Sequence, residues 1–92
     1  MKCMITYAGK PAHMPDAVAR FLQTGGLPPK GVKLLGRWHS AGMGFVLADV
    51  KDDKACFEWM ANWTDMLELT VHPVVEDRDA AAIFKRVYKG RL

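Results

Sequence analysis

The apolar residues of this chain switch repeatedly between two spacings, every second residue and one face of a 3.6-residue turn. The order of those switches restricts the fold more than any single motif does. Lys2 to Ala8 alternates, with Cys3, Ile5 and Tyr7 opposed to Lys2, Met4, Thr6 and Ala8, as a strand does. Gly9-Lys10-Pro11 signals a turn, and Pro15 and Asp16 suit the first turn of a helix over 15–24. Its stripe is Met14, Ala17, Val18, Phe21 and Leu22, and Gly25-Gly26 supplies the stop. The Pro/Gly-rich segment 25–31 is a loop within the domain.

Two further strands are expected at 32–39 and 45–50, joined by the glycine-bearing hairpin loop 40–44. Asp52 or Asp53 then caps a helix whose buried stripe is Cys56, Trp59, Met60 and Trp63. Residues 66–75 alternate again, and Pro73 argues for a strand at the sheet edge, because proline cannot donate to an interior ladder. A last helix over 79–89 carries Ile83, Phe84 and Val87 on one stripe, with acids at its start and Lys85, Arg86 and Lys89 near its end.

The order strand, helix, strand, strand, helix, strand, helix is the α+β ferredoxin-like βαββαβ plan plus a terminal helix. It implies an antiparallel four-stranded sheet in the order 4-1-3-2 with the first two helices on one face. Cys3, Ile5, Tyr7, Val32, Leu34, Trp38, Leu67, Leu69 and Val71 are expected to face those helices. Met4, Thr6, Leu35, Arg37, His39, Thr70, His72 and Val74 are expected on the other face. Because the side-chain period is two, a strand register shifted by one residue exchanges every inward and outward assignment. The third strand is apolar on both sides, with Phe45 and Leu47 against Val46, Ala48 and Val50. The uncovered face is therefore expected to be covered by a second copy, making a homodimer, or by the terminal helix.

A chain of 92 residues fits one domain spanning 1–92. No apolar run approaches the ~18 residues that cross a bilayer, and no signal-peptide pattern opens the sequence. A cytoplasmic location without membrane attachment is expected. Thirteen basic against ten acidic residues give a net charge of +3, too weak and dispersed to indicate a nucleic-acid partner. Cys3 and Cys56 fall in apolar patterns and form no C-x-x-C pair, so they read as small core hydrophobes rather than as metal ligands or a disulfide framework.

Gly36-Arg37-Trp38-His39, followed by Gly42-Met43-Gly44-Phe45 and preceded by the opening Met1 to Tyr7, resembles the family of domain of unknown function 3303. The tryptophan-bearing second helix, the Trp63-Thr64-Asp65 step and the 71–75 strand extend that resemblance over nearly the whole chain. It implies a ferredoxin-like domain related to the dimeric α+β barrels, in which two sheets pack face to face. No established activity comes with it. The wider superfamily holds cofactor-free monooxygenases, isomerases and simple ligand binders, so the fold does not choose a chemistry.

Arg37 and His39 stand two apart on a strand, so their side chains leave one face about 7 Å apart. A guanidinium fork and an imidazole there suit a small anion; equally, both can satisfy carboxylates or carbonyls at a subunit contact. Trp63 and Trp59 are candidates to line a pocket between the second helix and the sheet, with Trp38 and Tyr7 from strands, or simply to fill the core. His72 is expected on the same face as His39 but at the opposite edge, so that the two meet only across a dimer. Metal ligation needs three or four converging donors, and only Glu68 is available as a third, so neither a metal nor a cofactor is expected. His13 is expected in solvent.

The string 41–48 matches the RNA recognition motif at Gly42, Gly44, Phe45 and Val46. Ala41, Met43 and Ala48 stand where that motif has its basic and stacking residues. Neither H-E-x-x-H, G-x-S-x-G nor a P-loop occurs. The reading is a homodimeric domain that binds a small, partly apolar ligand, neutral or anionic, through Arg37, Trp38, His39, His72, Tyr7 and Trp63. Two alternatives stand beside it. One is a cofactor-independent monooxygenase or isomerase in which His39 or His72 moves a proton; the other is an interaction module without a ligand.

Overall fold

Each expected element forms, for local reasons visible in the backbone. The computed structural model describes residues 1–92. Strand β1 is Lys2–Gly9, and a single 3₁₀ turn, Pro11–His13, leads into helix α1, Met14–Thr24. Gly25 ends α1 in the left-handed region (φ 70°), its N–H bonded to the Phe21 carbonyl at 2.7 Å, a conformation glycine adopts without a Cβ penalty. Strands β2, Val32–Ser40, and β3, Met43–Val50, form a hairpin. Its two-residue turn is Ala41-Gly42, with Gly42 at φ 77°. Helix α2, Asp53–Ala61, is capped by Asp52, whose carboxylate accepts the Ala55 N–H at 2.9 Å. Strand β4 is Leu67–Pro73 and helix α3 is Asp77–Val87. Asp77 and Asp79 at its start and Lys85 and Arg86 at its end complement its dipole.

The sheet is antiparallel in the order β2-β3-β1-β4, the ferredoxin-like arrangement, with proline-bearing β4 at an edge. Its inner face carries one apolar cluster: Cys3, Ile5, Val46, Ala48 and Val50 from the strands, Cys56 and Trp59 from α2. Burying a side chain such as Ile5 or Val50 stabilises by roughly 1.5–3 kcal/mol. Only 11 of 92 residues are buried, so this core is thin even for a small fold.

Strand β2 corrects the expected division of faces. Leu34 pairs with Ala48, but the next partner of β3, Leu47, pairs with Gly36, so Leu35 is an extra residue in a β-bulge. Beyond it every side chain changes side. Arg37 pairs with Val46 and His39 with Gly44, which puts both on the helix-covered face rather than the open one. Trp38 pairs with Phe45 and turns to the open face, 51% exposed and stacked on Phe45 with ring centroids 5.6 Å apart. His72 pairs with Met4 on the open face, so His39 and His72 lie on opposite sides of one sheet. The terminal helix leaves that face uncovered: no residue of α3 is buried.

Candidate ligand-binding site

Helix α1 does not seal the inner face. Of its apolar residues only Ala17 is buried, and a cavity of about 380 Å³ separates the helix from α2 and the sheet. The floor is Ile5, Val46 and Leu69, the α2 side is Trp59, Met60 and Trp63, and the α1 wall is Met14, Val18 and Phe21. The volume falls within the range of small-molecule sites, which are apolar with a few placed polar groups.

Two arginines hold α1 at this distance. Arg20 donates from Nη1 and Nη2 to the Asp65 carboxylate at 2.9 and 2.8 Å, and from Nη1 to the Asn62 carbonyl at 2.7 Å. Its guanidinium lies 5.5 Å from the Trp63 ring centroid, so one side chain ties α1 to the turn after α2. Arg37 donates from Nη1 to the Gly26 carbonyl at 2.8 Å and from Nη2 to the Gly25 carbonyl at 2.9 Å. It also stacks over Phe21 at 4.9 Å. Arg37 thereby satisfies two carbonyls of the glycine turn that ends α1, which the sequence does not announce. It forms no ion pair with a carboxylate, and three of its five N–H groups remain uncommitted to these carbonyls.

The polar end of the cavity is built by a missing side chain. Tyr7 on β1 and His39 on β2 both pair with Gly44 of the intervening β3, and their side chains meet above it. The Tyr7 hydroxyl hydrogen-bonds His39 Nδ1. A Cβ at Gly44 would run into the Tyr7 phenol. Burial pushes the Tyr7 phenol above its ordinary pKa, with the Arg37 charge pulling it partly back, so Tyr7 keeps its proton at neutral pH. His39 is solvent-exposed and Tyr7 half-buried, so the pair links water to the cavity. Phe21 meets the His39 ring edge-on at 5.3 Å.

The structure therefore brings Tyr7, Arg37, His39 and Trp63 around one cavity and leaves Trp38 and His72 on the far side of the sheet. There His72 Nε2 lies 3.5 Å from Thr6 Oγ1. No three His, Cys, Asp or Glu side chains converge, and no helix is long and apolar enough to cross a membrane. Phe21, Met14 and Gly44 join the site without having been singled out as site residues. Gly44 reads as part of the hairpin loop in the sequence, and only the start of β3 at Met43 makes it a glycine inside a strand, where such a residue often marks a close approach.

The family described as domain of unknown function (DUF3303) matches residues 1–88 of the 92. The chain is a DUF3303 domain. The match covers every strand and helix, and so every wall of the cavity in this DUF3303 domain. Comparison with curated proteins and with solved structures returns no match.

Proposed function

We propose that this DUF3303 domain binds a small, largely apolar molecule carrying one acidic or hydroxyl group, of the size of a one- or two-ring aromatic acid. The observation that carries this reading is the Tyr7–Gly44–His39 arrangement at the mouth of an otherwise apolar cavity. The ligand's hydrocarbon body lies among Trp59, Trp63, Met60 and Leu69. Its polar group meets the Tyr7 hydroxyl, and the Arg37 charge, which no carboxylate of the chain compensates, favours an anion.

A thermal-shift screen of aromatic carboxylates against their neutral amides tests this. A ligand at 100 times its Kd adds about 2.7 kcal/mol to stability, so binders raise the melting temperature measurably, with acids ahead of amides. His39→Ala is expected to weaken that shift while leaving the unliganded domain folded. Equal shifts for wild type and His39→Ala would remove the assigned polar end, and no shift across the screen would favour the interaction-module reading.

The Tyr7–His39 hydrogen bond also supports a second reading, proton transfer to a bound carbon acid as in an isomerase or a cofactor-independent monooxygenase. Incorporation of solvent deuterium into a bound ligand, or oxygen uptake with a quinol, would distinguish catalysis from binding. Tyr7→Phe should abolish either.

A further inference from the structure

Two apolar surfaces of this chain are bare, and they lie away from the cavity. One is the open sheet face, where Leu35, Trp38 and Phe45 are each at least 39% exposed. The other is the α3 stripe of Ile83, Phe84, Val87 and Tyr88, with Phe84 55% and Val87 63% exposed. A helix with one apolar stripe and nothing packed on it does not hold itself together in water at 11 residues.

The amount of bare surface can be compared with what association needs. A compact monomer of 10.3 kDa has an accessible surface of about 5,400 Å², whereas this chain has 6693 Å². The excess, about 1,300 Å² by that scaling, exceeds the roughly 800 Å² per partner of a standard interface. The radius of gyration is 15.9 Å against about 12 Å for a compact chain of this length. The chain is elongated, 52 Å along its longest axis against 27 and 18 Å across. Val74 continues the ladder through its N–H to the Lys2 carbonyl at 3.2 Å, and Glu76 is held by the Lys2 ammonium at 2.6 Å. Three residues separate β4 from α3, and with those ties in place no residue of α3 is buried.

We infer that α3 is an exchanged arm: in a twofold dimer the α3 stripe of each copy lies on the open sheet face of the other. Phe84 and Val87 seat against the Trp38–Phe45 stack. A twofold axis repeats every contact, so the exchange covers both bare surfaces on both copies at once. Sheet packed directly on sheet would leave α3 as exposed as before. The basic end of the arm, Lys85, Arg86 and Lys89, is then carried toward Glu68, which lies on the open face and makes no ion pair within its own chain.

The test is twofold and uses the full chain. Sedimentation of the wild type is expected to show a dimer at micromolar concentration. Phe84→Asp with Val87→Asp is expected to weaken it by roughly thirtyfold or more, the loss that follows damage to an interface hot spot. A second experiment does not depend on the double variant keeping its fold. Phe45→Cys protein is mixed with separately tagged Phe84→Cys protein and oxidised; Cys3 and Cys56 are buried and do not compete. The mixed disulfide between the two tags is the expected product. A monomeric wild type would overturn the inference, as would Phe45→Cys dimers forming in place of the mixed product. So would a monomer whose Trp38–Phe45 stack takes up single-stranded nucleic acid in a salt-dependent way.

Discussion

Tyr7 and His39 are bonded to each other across a strand that belongs to neither of them. They reach one another because residue 44 between them is glycine. Phe21 and Arg37 pack beside the pair, so the polar end of the cavity depends on one absent side chain.

Gly44 and Gly42 should therefore behave differently on substitution. Gly44→Val drives a side chain into the Tyr7 phenol and is expected to cost about 1–3 kcal/mol, as overpacking does, and to abolish ligand-induced stabilisation. Gly42 faces open space but holds φ at 77°; Gly42→Ala is expected to cost about 1 kcal/mol of backbone strain with ligand binding unchanged. Urea unfolding with and without ligand separates the two effects.

The Arg20–Asp65 strut makes the position of α1 depend on pH. The hydrogen bond from Arg20 holds the Asp65 carboxyl below its usual range. A carboxylate whose folded pKa is depressed contributes stability that is fully present above its unfolded pKa and is lost as pH falls through the folded value. Amide exchange in α1 should thus accelerate on acidification through and below the ordinary carboxylate range. Asp65→Asn should exchange faster already at neutral pH and show a flatter acid response. An α1 whose exchange ignores both changes would mean that the strut holds nothing.

The two cysteines are expected to be inert while the protein is folded. Burial and the neighbouring Cys56 push the Cys3 thiol up, and both side chains lie in the core, so little thiolate is presented. Labelling by an aromatic disulfide should proceed only at the rate of unfolding, rising with urea. Cys3→Ser, which places a hydroxyl where only apolar groups and a thiol surround it, should cost about 1–3 kcal/mol.

The architecture was legible because its signals are local. The alternations in β1 and β4, the stripes of the three helices, Gly25 and Asp52 as punctuation and Pro73 as an edge marker each act within a few residues of themselves. The site was only partly legible. Tyr7 and Trp63 lie on the expected side, but the face of Arg37, Trp38 and His39 turns on a single extra residue, Leu35, whose bulge nothing stronger than the adjacent Gly36 announces. Arg37 reads as an anion fork, and in the fold its planar group closes the end of α1. Arg20 and Phe21 acquire their roles from partners more than ten residues away, which no local period encodes.

The most direct measurement of the central claim is a two-dimensional NMR titration with an aromatic carboxylate, following the Tyr7 and His39 amides and the three tryptophan indole N–H signals. The account predicts saturable shifts at Tyr7, His39, Trp59 and Trp63, lost in His39→Ala, with Trp38 and His72 silent on the other face of the sheet. Shifts centred on Trp38 and His72, or none at the Tyr7–His39 pair at millimolar ligand, would contradict it.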